Sequence, residues 1–154
     1  MKSMTYDESI SELGLLGEKI MTNYFNTQGF MVEHSIDKFD REKDMLVNGK
    51  KVEIKTEQPL VFKNCLTIRE TQLKKCRSVD ELYFVTVPPS FRENYQYGGC
   101  IFKVDPENFK WTKWIPKDGR QMCAISIFQE SVKFIKKLSD AECKELIKYR
   151  NSNY

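Results

Sequence analysis

Residues 43–57, KDMLVNGKKVEIKTE, constrain the fold more tightly than any other stretch of this chain. Asn48-Gly49 separates two short apolar runs, and Asn-Gly in that setting signals a hairpin with a tight turn. Side chains on a strand alternate between faces. Glu53 and Lys55 therefore point one way, and Val52 and Ile54 point the other. A hairpin over residues 44–56 brings Asp44, at the head of the first strand, near the level of Glu53. Two carboxylates and one ammonium then converge. Such a spot can hold a divalent metal beside a phosphate, which points to hydrolytic chemistry. Glu-x-Lys is nonetheless a short pattern in a chain that is 31% charged. The plain alternative is a hairpin edge that carries charge against aggregation.

At 154 residues the chain is long enough to bury one sizeable core and is read as a single domain over 1–154. A core over about 7–87 is expected to carry a C-terminal elaboration over about 88–154. No run approaches the ~20 apolar residues that span a bilayer. The opening residues, MKSMTYDES, lack the apolar stretch of a secretory signal, so a cytoplasmic protein without membrane partners is expected. Five dispersed cysteines with no CxxC pair and one histidine, His34, argue against structural zinc and for free, buried thiols. Residues 1–60 hold 8 Lys/Arg against 11 Asp/Glu, and residues 61–154 hold 17 against 11. An acidic first part beside a basic remainder suits a metal site next to a polyanion surface.

Apolar residues at helical spacing predict a helix over 7–28, with Asp7 or Ser9 as its cap and Gly29 at its end. A strand over 30–35 and the hairpin follow. Residues 59–66 read as a loop or short strand, and 67–77 (TIRETQLKKCR) as a short basic helix. Residues 82–87 (LYFVTV) have the continuous apolar character of a buried central strand. Residues 90–99 read as a loop, and 101–104 and 121–128 as further strands. Ser139 and Glu142 form a capping box for a last helix. This order predicts an α/β fold.

Several positions outside the hairpin carry chemistry. On the first helix Glu18 lies beside Gly17 and one turn from Gly14, glycines that leave room around it. Gln72, Lys74, Lys75 and Arg77 supply amide and cationic donors suited to phosphate oxygens. Trp111 and Trp114, interleaved with Lys110 and Lys113, have the pattern of a base-stacking surface or of a packed lobe. His34 reads as a structural histidine or a general base. Tyr95 and Tyr97 lie in a loop that could reach a substrate. Lys133, Lys136 and Lys137 read as a solvated helix face.

Taken in order, the chain offers a helix with Glu18 in GLLGEK, a strand opening on Asp44, a strand with Glu53-Ile54-Lys55, and a basic helix with Gln72. This order resembles the PD-(D/E)xK nuclease superfamily, which includes restriction enzymes, phage exonucleases and archaeal-type Holliday junction resolvases. The resemblance covers roughly residues 11–87 and rests on order and spacing. It departs from the family pattern before Asp44, where this chain has Lys43 in place of proline.

The resemblance implies a restriction-endonuclease-like core, a central mixed β-sheet flanked by helices. It implies that Asp44, Glu53 and the Ile54 carbonyl bind Mg²⁺, for which Mn²⁺ substitutes, with Glu18 as a further carboxylate. Lys55 would orient or deprotonate the attacking water, or stabilise the phosphorus. Gln72 would position the site, and Glu57 would be an auxiliary ligand. Lys74, Lys75, Arg77 and Lys113 would contact DNA. The activity implied is endonucleolytic hydrolysis of DNA by an enzyme of phage or mobile-element type, often a homodimer. The alternatives are an inactive nucleic-acid-binding module on the same fold, and a homing, Holliday-junction or RNA-directed nuclease.

Overall fold

The computed structural model describes residues 6–34 and 44–149. Ser35, Lys43 and the side chains of Asp7, Ser9 and Ile10 lie outside the described residues. The chain begins with α1 (Tyr6–Thr27), followed by β1 (Val32–His34), β2 (Met45–Val47) and β3 (Lys50–Glu57). Next come β4 (Cys65–Arg69), α2 (Leu73–Ser78), β5 (Glu81–Thr86), β6 (Cys100–Val104), β7 (Thr112–Trp114), β8 (Met122–Ser126), β9 (Val132–Lys137) and α3 (Asp140–Lys148). Six strands form a central mixed sheet in the order β1-β2-β3-β5-β6-β9, and β4-β8-β7 form a second, three-stranded sheet. In the central sheet only the β3–β5 pair is parallel.

The hairpin forms as its turn residues require. Asn48 and Gly49 both take positive φ, 50° and 80°, the backbone that a two-residue turn between twisted strands needs. β2 and β3 pair antiparallel from Met45↔Val52 to Val47↔Lys50. β2 therefore ends level with Val52, and the longer β3 runs on past it. Beyond that point β3 is held on its other side by β5, with Glu53 opposite Leu82 and Lys55 opposite Phe84.

Alternation divides the core in two. Val52 and Ile54 face α1, where Ile20, Met21 and Phe25 bury the helix stripe together with Met45, Val47, Tyr83, Val85 and Leu146 of α3. Burial of side chains of this size contributes about 1.5–3 kcal/mol each. Leu82 and Phe84 face the other way, into a cluster with Leu66, Ile68, Cys76, Phe102, Cys123 and Ile125. Glu53, Lys55 and Glu57 share that second face. They project from the central sheet towards α2 and the three-stranded sheet.

The first helix starts at Tyr6, so Asp7 and Ser9 lie inside it, and Gly29 at φ 78° ends it. The capping box at Ser139 is present in both directions. The predicted helix over 67–77 is corrected. Residues 65–69 are a strand, because Leu66 and Ile68 are buried on one side while the backbone pairs with β8 from Cys65↔Ser126 to Arg69↔Met122. The helix proper is only Leu73–Ser78, entered through a 3-10 turn at Glu70–Gln72. Lys133, Lys136 and Lys137 lie on the edge strand β9 rather than on a helix. Edge strands commonly carry lysines, which discourage pairing with another chain. Residues 88–149 supply two strands to each sheet, so no structural boundary falls near residue 87. No helix of the described residues is long and apolar enough to cross a membrane.

Candidate active site

The open edge of β3 makes the site. Past Val52 the strand has lost β2 as a partner, and the Asp44 side chain takes over. Asp44 N donates to Val52 O at 2.9 Å, and Ile54 N donates to Asp44 Oδ2 at 2.8 Å. Within a strand residue N–H and C=O point to the same edge, so the Ile54 carbonyl lies on the Asp44 side as well. Glu53, one position earlier, projects from the adjacent face and is fully buried. The two carboxyl groups are close enough to perturb one another electrostatically.

Two ammonium groups approach this pair. Lys55 Nζ lies 3.0 Å from Glu53 Oε2 and donates to Gln72 Oε1 at 2.9 Å. Lys75 Nζ lies 3.3 Å from Glu53 Oε1 and 3.8 Å from Asp44 Oδ1. Gln72 and Lys75 are three residues apart at the start of α2, a spacing that places both on one helix face. The short helix thus presents an amide to one lysine and a second lysine to the carboxylates.

The electrostatics follow from burial and these neighbours. Burial raises the Asp44 carboxyl, and the adjacent Glu53 raises it further. Burial also pushes Glu53 upward, but the neighbouring Asp44 carboxyl and the charges of Lys55 and Lys75 outweigh it and hold Glu53 low. Burial alone would lower Lys55, but the charge of Glu53 overrides it, so the amine is held above its ordinary value. Lys55 is an ammonium at neutral pH, a donor and a positive charge rather than a base.

Glu18 reaches the margin of this group. It is half-buried on α1, and burial raises its carboxyl; His34 and Lys75 pull it down, and Glu53 pushes it up. It therefore lies within the field of the carboxylate pair. The glycines beside it differ from expectation. Gly14 faces open space, whereas a Cβ on Gly17 would overlap Oγ1 of Thr56. Gly17 thus serves the close approach of α1 to β3. His34 is exposed on β1, with Nε2 3.5 Å from Thr22 Oγ1.

Glu57 is on the right face but is committed elsewhere. Its Oε1 accepts from Thr67 N and its Oε2 from Thr67 Oγ1, both at 2.6 Å. It joins the central sheet to β4. Arg77 is likewise engaged: its guanidinium donates to the carbonyls of Pro106 and Phe109 at 3.2 and 2.9 Å and stacks on the Phe109 ring. Lys74 is exposed on α2, and Lys113 on β7 lies 3.9 Å from Glu70 at the approach to α2. Trp111 packs against the core, and Trp114 is partly buried on β7. Four of the five free cysteines are buried. Lys75, expected from the sequence as a phosphate contact, instead reaches the carboxylates; its spacing from Gln72 was the available signal for that placement.

Among the described residues no group of three His, Cys, Asp or Glu side chains is gathered to hold a metal ion. The donors at hand are Asp44, Glu53 and the Ile54 carbonyl. Both Glu53 oxygens are buried and are answered by ammonium charge rather than by aligned hydrogen bonds. All three donors are hard oxygens, and Mg²⁺ is commonly held by one or two carboxylates while it keeps several waters. The set fits such an ion. No family model matches the chain, and no curated protein matches it.

Proposed function

We propose that this protein is a Mg²⁺-dependent nuclease that hydrolyses phosphodiester bonds in DNA as an endonuclease, built on a restriction-endonuclease-like core. The observation that carries the reading is the meeting of Asp44, Glu53 and Lys55 at the open edge of β3, with Lys55 hydrogen-bonded to Gln72. The order α1, the β2–β3 hairpin, α2 and then β5 parallel to β3, with β1 and β4 interspersed, supports it. These are the elements on which the resemblance places its functional groups.

Asp44, Glu53 and the Ile54 carbonyl would hold the metal, and Glu18 stands nearby as a further carboxylate. Such an ion supplies neutralisation of phosphate charge and a bound water of lowered pKa. The rest falls to the chain. Lys55 is fixed by Gln72 and Glu53 and remains charged, so it donates to the phosphate oxygens as negative charge builds on them. In the hydrolysis a water oxygen bonds to phosphorus, the P–O bond to the leaving oxygen breaks, and that oxygen takes up a proton. Lys74 and Lys113 lie on the approach and suit backbone phosphates.

A second reading, an inactive nucleic-acid-binding module, draws on Lys75, whose ammonium already neutralises the carboxylates. Incubation of supercoiled plasmid and branched DNA with wild type and Lys55→Ala, with Mg²⁺, Mn²⁺ or Ca²⁺, separates the two. Cutting by wild type with Mg²⁺ or Mn²⁺, and binding without cutting in Ca²⁺, is the expected result. Wild type that binds DNA but never cuts it would leave the inactive module standing.

A further inference from the structure

β3 and β5 run parallel, so the segments that follow them leave the sheet at the same end. After β3 comes a 3-10 turn, Val61–Lys63, and after β5 the loop over residues 88–99. Phe62 on the turn is 85% exposed and Phe91 on the loop is 53% exposed. Their rings stack on each other, 14° from parallel with centroids 5.8 Å apart. A third ring, Phe128, is 65% exposed after β8.

These segments are tied together by one residue. Asn64 takes a left-handed backbone, φ 50°, as it closes the turn that carries Phe62. Its Oδ1 accepts from Tyr95 OH at 2.6 Å, which fixes the Phe91 loop. Its carbonyl accepts from Ile127 N at 3.0 Å, next to Phe128. The exposed rings are therefore held by polar contacts beneath them. Ring–ring stacking leaves much of their apolar area in water. Lys63 and Arg92 are exposed beside the two rings, and the Arg92 guanidinium lies 5.8 Å from the Tyr95 ring. Aromatic faces interleaved with cations take nucleobases over a phosphate backbone.

We propose that Phe62 and Phe91 form a stacking platform for an unpaired nucleobase of the DNA strand engaged at the carboxylate pair. The proposal rests on the nuclease reading and specifies its substrate: DNA with a single-stranded segment close to the cut. The reach is adequate. Seven residues separate Lys55 from Phe62, a path of at most about 25 Å, and a stacked strand advances about 3.4 Å per nucleotide. The platform lies within about seven nucleotides of the scissile bond.

The test measures fluorescence anisotropy in Ca²⁺ with three labelled probes: a 20-nucleotide oligothymidylate, a blunt duplex, and a duplex with a single-stranded flap. The proteins are wild type, Phe62→Ala/Phe91→Ala and Phe62→Trp. Both native rings are exposed, and equal urea midpoints check that the variants fold. The double alanine variant should lose about ten-fold or more for the oligothymidylate and flap, because base stacking on the rings is gone, and keep duplex affinity. Phe62→Trp should retain binding. A flap carrying 2-aminopurine should be quenched by wild type and not by the double variant. Equal affinities for wild type and the double variant would overturn the platform, as would equal losses on duplex and flap. A wild-type dimer in sedimentation that the double variant abolishes would assign the rings to a second copy instead. If wild type binds none of the probes, the nuclease reading falls and takes the platform with it. If wild type binds and cuts while the ring variants behave identically, only the platform falls.

Discussion

The ammonium of Lys75 stands 3.3 Å from Oε1 of Glu53, a carboxylate whose side chain is 1% exposed. A buried negative charge left short of partners costs several kcal/mol, and Lys75 shares the task with Lys55. The same ammonium lies 3.8 Å from Asp44 Oδ1, so it sits at the two carboxylates that would hold a divalent cation. Lys75→Met should therefore destabilise the metal-free protein by about 1–3 kcal/mol. It should also bind Mg²⁺ or Ca²⁺ more tightly, because the competing charge is gone. Urea denaturation with and without the ion reads both effects. A variant stabilised by the ion no more than wild type would remove Lys75 from this role.

Lys55 is poised differently. Its ammonium is anchored on both sides, by Glu53 at 3.0 Å and Gln72 at 2.9 Å, and its positive charge is reinforced. Lys55→Ala should lower single-turnover cutting by about 10²-fold or more, the range expected for a positioned donor in the transition state. DNA affinity in Ca²⁺ should hold, because one lysine is a small part of the phosphate contacts. A variant that cuts at the wild-type rate would end the mechanism.

Gln72 acts through Lys55. Gln72→Ala leaves the amine with Glu53 alone, so it should swing towards that carboxylate. The expected loss is about ten-fold in the cutting rate with unchanged DNA affinity, since misplacement of one catalytic group commonly costs that much or more. Gln72→Glu should recover much of the rate, because a carboxylate oxygen accepts the same hydrogen bond. No recovery would make Gln72 part of the packing of α2 rather than a positioner of Lys55.

The parts of this site that were legible in the sequence are local ones. Asn48-Gly49 set the turn, and strand alternation set Glu53 and Lys55 on one face, because both depend on residues that are neighbours in the chain. What was not legible depends on distant partners. Residues 65–69 carry a Leu66–Ile68 alternation too short to stand apart from the basic stretch that follows, and become β4 because β8 offers a ladder far along the chain. That misreading concealed the fate of Glu57. Once β4 is a strand, Thr67 comes up to Glu57 and takes both its oxygens. Likewise, β9 alternates weakly and is lysine-rich, and only pairing with β6 makes it a strand.

Glu57 gives the protein a pH dependence of known sign. Burial raises its carboxyl to about 8, against the opposing pull of Thr67 and Lys55. A glutamate in the unfolded chain titrates near 4.3. Between about pH 4.3 and 8 the folded protein holds a proton that the unfolded chain has lost, so stability falls as pH rises through that window. The contribution is complete below the unfolded value and gone above about 8. Glu57→Gln cannot titrate, so the fall in unfolding free energy from pH 6 to 9 should be about 2–3 kcal/mol smaller than in wild type. Chemical denaturation at the two pH values measures it. Parallel slopes in both proteins would mean that Glu57 is ionised in the fold.

Gly17 and Thr56 fix how closely α1 lies on β3. A Cβ at residue 17 would overlap the Thr56 hydroxyl, whose oxygen is buried and has no hydrogen-bond partner among the described residues. Alanine ordinarily strengthens a helix by about 1 kcal/mol over glycine. Here overpacking, at about 1–3 kcal/mol, should dominate, and Gly17→Ala should be destabilising. Thr56→Ala removes the obstructing atoms, so the double variant should recover the helix gain and be more stable than Gly17→Ala alone. A coupling of about 1 kcal/mol or more in the double-mutant cycle is expected. Because Glu18 follows Gly17, lifting the helix also lifts that carboxylate from the field of Glu53. Cutting should fall in Gly17→Ala and return in the double variant. Additive effects on stability would show that the helix is not pressed onto the strand at this point, and the placement of Glu18 would then lose its structural cause.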